Sequence, residues 1–246
     1  VPAVPEAEPV GTWRWSSFRH YLGERAALFA RIRDGDRLGP LVVRMTLFSV
    51  LLSALYGLAV GLYAGGWQVA YNTVKMPLLL LATLGLCILA LYMLNSLAGA
   101  WLSLSQTAAV VLSAVLVTTF LLAAMTPPLA FLMLTSIESY YLVVFLNLVV
   151  ICIAGAGGVS FSLQATAAVH EEPAVRSRCL RVMRAWMVLY GLVGLQMLWL
   201  FRPYFRHADV FIRPLGEGGN AFEAFGRLIV SLLGDLLVAL LRAVLH

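Results

Sequence analysis

The sequence predicts an all-α, polytopic integral membrane helix bundle of about five transmembrane helices, each needing about 20 apolar residues, with interfacial amphipathic helices at its N- and C-terminal ends. Composition is the first reason. Of 246 residues, 61% are hydrophobic and 12% charged, and the mean hydropathy is +0.90; soluble domains run at about 45–50% apolar and about 25% charged. The second reason is where the charges are missing. No charged residue lies between Arg44 and Lys75, between Lys75 and Glu138, from Ser139 to Val169, or from Ala185 to Phe201. One such gap fits a buried core helix, whereas four require lipid as the solvent.

The spans follow in order. Span one covers residues 43–64 and carries Ser53, Gly57, Gly61 and Gly65 at four-residue intervals. Small residues so spaced share a helix face and let a second helix approach closely; packing within the chain is the favoured use. Span two is read from Met76 to Leu97, with Pro77 in its first turn, where the missing N–H costs nothing. Span three, residues 108–126, is expected to stop at Pro127-Pro128, and Leu129 to Ile137 to lie at the interface or re-enter the bundle. Span four covers residues 140–163. Its Ala154-Gly155-Ala156-Gly157-Gly158 run marks a packing site or a soft point, with Gly155 and Gly157 as candidate packing residues. Span five runs from Ala185 to Phe201.

The flanks divide the chain into residues 1–40, a tail and basic amphipathic helix; 41–205, the bundle; and 206–246, a connection and second amphipathic helix. Val1 to Val10 are rich in Pro and Glu and read as an unstructured tail rather than a signal peptide. In residues 11–37, Trp15, Phe18, Tyr21, Leu22, Leu28, Phe29 and Ile32 fall at helical spacing among arginines, the pattern of a helix lying on headgroups. From Phe222 to Leu245, Arg227, Asp235 and Arg242 favour an interfacial position over a sixth span. Lys and Arg are more numerous on the side holding residues 1–44 and 164–184 than on the side holding Lys75 and the tail, which predicts a cytoplasmic N-terminus.

Seventeen basic side chains stand against 12 acidic ones. Because the arginines flank apolar spans, membrane lipids rather than nucleic acid are the expected partners. Cys87, Cys152 and Cys179 are scattered and suggest neither a disulfide framework nor a thiolate metal site. All four histidines lie outside the spans, where an intramembrane haem could not use them, and no hydrolase, zincin or P-loop motif occurs. No catalytic, cofactor-binding or metal-binding residue is therefore expected. Within the spans Asn95, Asn147, Gln196, Tyr56 and Tyr92 read as interhelical hydrogen-bonding groups. Lys75 and Glu138, opening spans two and four on the same membrane face, are a candidate ion pair between helices. Trp15, Trp199, Arg202, Tyr204 and Arg206 are candidate interfacial anchors, members of an aromatic and basic belt.

Several segments act together: Tyr56-Gly57 with Gly61, Lys75-Met76-Pro77, Leu91 to Gly99, Gln196-x-x-Trp199-x-x-Arg202-Pro203-Tyr204-Phe205, and Asn220-x-Phe222-Glu223. Over residues 45–226 this combination resembles a family of poorly characterised bacterial multi-pass inner-membrane proteins with an Arg-Pro-aromatic segment after the last span. The five-span plan is also loosely similar to that of the Yip-type trafficking proteins. The resemblance implies a bacterial inner-membrane location and an architecture, and no activity. The expected function is that of a non-catalytic accessory or scaffold subunit packed against other membrane-protein subunits. Alternatives are a small-solute transporter or channel, and a lipid-handling protein using Arg202, Arg206 and Arg213.

Overall fold

The computed structural model describes residues 25–135, 140–204 and 210–212, together with 223, 226, 227 and 229–231. Among the described residues six helices follow one another: α1 Arg25–Asp34, α2 Leu38–Ala64, α3 Gln68–Leu97, α4 Leu104–Thr135, α5 Tyr140–Val169 and α6 Pro173–Leu200. Helices α2 to α6 are long and apolar enough to cross a membrane, and no strand occurs among the described residues. The chain is a polytopic all-α bundle. α4 sits at its centre, packed between α2 and α5, with 56% of its most apolar window buried against 11% for α6. α6 closes the bundle across α3 and α5.

The apolar face of α2 points outward. Val43, Leu47, Leu51, Leu55, Leu58 and Leu62 form an exposed stripe, while Ser49, Ser53, Gly57 and Gly61 are buried. Lipid solvates the stripe, so nothing is gained by hiding it; close backbone contact on the inner face holds the helices together instead. A Cβ on Gly57 would overlap the Asn72 carbonyl oxygen, and one on Gly61 would stand 2.7 Å from Val69 Cα. Ser53 turns its hydroxyl back onto Ser49 O at 2.6 Å. Gly65 has a different task from the ridge assigned to it. Its φ of 76°, followed by 57° at Gly66, reverses the chain into α3, a left-handed pair that L side chains adopt only with strain.

In the α5 run the close-packed residue is Gly158, where an added Cβ would strike Thr118 Oγ1 and lie 3.0 Å from Ala114 O. Gly157 meets only the flexible tip of Leu121, and nothing lies within 4 Å of Gly155. The run is helical throughout.

Two expected helix boundaries are corrected. α4 continues through Pro127-Pro128 to Thr135, with both rings exposed on the outer surface. A proline removes one N–H donor, but unwinding the turn in hydrocarbon would expose several more polar groups, so the helix persists. α3 begins at Gln68, well before Met76, and Pro77 lies inside it.

The N-terminal helix is also corrected. Over the described part, α1 turns Leu28, Phe29 and Ile32 onto the end of the bundle, with Phe29 tilted against Phe161 at 5.4 Å, rather than toward headgroups. Gln106 fixes it there. Its Nε2 donates to Ile32 O and Arg33 O at 3.1 and 2.8 Å, covering the orphan carbonyls of α1. Its Oε1 accepts from Ser103 N at 2.8 Å while Ser103 Oγ accepts from Gln106 N at 3.2 Å, a reciprocal capping box that starts α4. The second amphipathic helix, Phe222 to Leu245, falls almost wholly outside the described residues.

Gly57→Ala and Gly158→Ala each force two helices apart and should lower stability by about 1–3 kcal/mol. Gly155→Ala should stay within about 0.5 kcal/mol of the parent. Unfolding midpoints in mild detergent measure the contrast.

Candidate functional site

Among the described residues, a buried polar constellation lies at the end of the bundle that holds the α2–α3 turn. Gln68, Asn72 and Lys75 are spaced four and three apart, which aligns them on one face of α3, and all three are fully buried. Each donates to a backbone carbonyl beyond the end of α6. Gln68 Nε2 reaches Val210 O at 3.3 Å, Asn72 Nδ2 reaches Tyr204 O at 2.7 Å, and Lys75 Nζ reaches Pro203 O at 2.8 Å. A chain leaving a helix at membrane depth carries carbonyls that lipid cannot satisfy. The three side chains supply the missing donors.

Lys75, the single lysine, is an ammonium withdrawn from water, which costs several kcal/mol unless compensated. Beyond the Pro203 carbonyl, the compensation is aromatic. Its Nζ stands 5.9, 5.4 and 5.3 Å from the ring centroids of Tyr71, Tyr204 and Phe211. Negative ring faces attract a cation, more strongly where water is excluded. Tyr71 meets Phe211 edge-on at 5.4 Å and stacks with Trp67 at 6.5 Å, so the cage is braced from the turn.

The structure revises the roles expected of several residues. Lys75 is not a surface charge at the mouth of its span; it is buried two turns inside α3, because the docked segment satisfies the polar turn before it. Its expected partner Glu138 lies outside the described residues. Tyr204 is not an interfacial anchor either, being buried under Lys75. Trp199 and Arg202 stay half-buried at that end, with the guanidinium 3.7 Å from the indole centroid. Trp15 and Arg206 lie outside the described residues.

Two further polar groups tie the bundle internally. Tyr56 OH donates to Asn147 Oδ1 at 2.9 Å, and Asn147 Nδ2 donates to Val143 O at 2.8 Å, which joins α2 to α5. Trp186 Nε1 donates to Cys87 O at 2.8 Å and Tyr190 OH to Leu80 O at 3.4 Å, which fastens α6 to α3. Gln196, in contrast, is exposed on α6. At the opposite end Asn95, Thr107, Thr166 and His170 line a small cavity with Leu91, Leu102, Val110 and Met183. His170 Nδ1 lies 2.8 Å from Thr166 O.

Chemically, the Lys75 constellation is a clamp: fixed donors and π faces holding backbone, with no carboxylate in ion-pair range of Nζ among the described residues. Among those residues no three His, Cys, Asp or Glu side chains gather as a metal site requires. The reading from sequence missed Gln68 and Asn72. Their signal was present, a polar i, i+4, i+7 face immediately before Pro77, where a loop had been expected. No family model, curated protein or solved structure matches the chain.

Lys75→Met removes the donor and the cage's cation together. Amide hydrogen exchange should rise at 204 and 210–212 while α4 and α5 keep their protection. Unchanged exchange at those positions would refute the clamp.

Proposed function

We propose that this chain is a non-catalytic accessory or scaffold subunit of a bacterial inner-membrane assembly, its N-terminus in the cytoplasm. The observation that carries this reading is an unused packing device on the outside of the bundle. Inside, α2 and α5 use Gly57, Gly61 and Gly158 to bring helices into backbone contact. Outside, Gly155 on α5 and Gly191 on α6 offer the same notch with nothing within 4 Å, and Ala156, Ser160 and Gln196 are exposed on the same two helices.

Lipid alone has no use for an amide, which costs several kcal/mol in hydrocarbon without a hydrogen-bond partner. A neighbouring helix with small residues fits the notches, and a polar partner fits the amide. Ser162 of α5 meets Met187 of α6, so these notches lie at similar depth on two adjacent antiparallel helices. Arginine distribution supports the orientation. Arg31, Arg33, Arg37, Arg176, Arg178, Arg181 and Arg184 gather at the end that carries α1 and the α5–α6 connection, while Lys75 and Arg202 mark the other.

A photo-crosslinking residue placed at position 155 or 191 should give a discrete protein adduct, identifiable by mass spectrometry, in native membranes. The same residue at 51 or 55, on the outward stripe of α2, should label lipid only. Lipid adducts alone from all four positions would overturn the accessory role. For orientation, Gly66→Cys in a cysteine-free chain should react with an impermeant maleimide from the periplasm and Glu172→Cys should not.

A further inference from the structure

Three arginines project from the first half of α6. Arg178, Arg181 and Arg184 are exposed, and none makes a hydrogen bond or ion pair with a described residue. The acidic group nearest in sequence that is engaged, Glu171, pairs with Arg33 at 3.0 Å.

Their angular placement is regular. At about 100° per residue the three fan over an arc of about 120°. Cys179, Met183 and Trp186, buried against the bundle, occupy the other side of the helix. Below the arginines the same outward face continues as Ala185, Val188, Leu189 and Leu192, all exposed.

Their depth is equally defined. The charge-free part of α6 from Ala185 to Leu200 spans about 24 Å at 1.5 Å per residue, against a hydrocarbon core of about 30 Å. Arg184 therefore stands at the hydrocarbon boundary, its stem long enough to carry the guanidinium outward. Arg181 and Arg178 stand about 4.5 and 9 Å farther along the axis, through a headgroup layer of about 5–8 Å. On one flank the α3–α4 connection closes in. Arg178 Nη2 would be 3.5 Å from a Cβ on Gly99, and Trp101, 99% exposed, presents its indole at the same end. Indoles of this kind settle among headgroups.

We propose that this face of α6 is a binding site for an acidic phospholipid, with its phosphate held by Arg178, Arg181 and Arg184 and its acyl chains laid along Val188, Leu189 and Leu192. Guanidinium forks match phosphate oxygens in pairs, and no protein carboxylate competes for these three among the described residues. Phosphatidylcholine offers the same phosphate, but its choline cation would face the arginines. Phosphatidylglycerol carries no such cation, so charge complementarity selects it. The arginine end of the site lies about two turns from Gly191, and its test does not depend on a protein partner.

Native mass spectrometry of the purified full chain in mild detergent, titrated with phosphatidylglycerol or phosphatidylcholine, reads the proposal directly. One phosphatidylglycerol should be retained preferentially. Arg181→Gln should weaken that retention about fivefold, and the triple change Arg178→Gln, Arg181→Gln, Arg184→Gln about a hundredfold. A triple Lys variant, keeping the charge and losing the fork, should fall between. The single variant keeps the test decisive if the triple variant does not fold, with circular dichroism as the control. Equal retention of phosphatidylcholine by the parent, or undiminished phosphatidylglycerol binding in the Arg181→Gln and triple Gln variants, would overturn it.

Discussion

Hydrocarbon offers no hydrogen bonds, and every backbone N–H and C=O placed in it must find a partner within the protein. The five long helices are the first response, since each satisfies its own peptide groups. The harder problem is the backbone at 203–204 and 210, beyond the end of α6. There the ladder stops, and Gln68, Asn72 and Lys75 reach from α3 to Val210, Tyr204 and Pro203. The early start of α3, the burial of a lysine and the aromatic shell around it all follow from that one requirement.

The same solvent explains the outer surface of the bundle. A stripe of large apolar side chains faces outward along α2, while on its inner face Gly57 and Gly61 meet α3 beside buried Tyr56 and Val60. With no hydrophobic drive to bring helices together, close contact between backbones and a few buried hydrogen bonds decide which helices touch. Tyr56 with Asn147, and Trp186 with Cys87, show the second kind. Gly57 with Asn72, and Gly158 with Ala114, show the first.

The architecture was legible from the sequence because charge gaps and span length are properties of composition along the chain, and lipid enforces them. Boundaries were less so. Proline signals learned in water place a stop at Pro127-Pro128 and a start at Pro77; in a bilayer the helix continues through both. The polar clamp was half visible. Lys75 stood out as the only lysine, yet a carboxylate partner was sought for it, because a linear sequence shows side chains and not the carbonyls and rings that a folded tail brings near. Gly155 and Gly158 differ by less than one turn of helix. Only the position of α4 determines which of them is filled.

The two-ended role of Gln106 has a mechanical consequence. One planar amide terminates α1 with its nitrogen and initiates α4 with its oxygen, so the two helix ends share a rigid joint about the size of a single peptide group. α4 is the axle of the bundle, touching α2, α3 and α5. Freeing α1 therefore strips a terminal partner from α4 as well, so the order of one helix end is tied to that of the other.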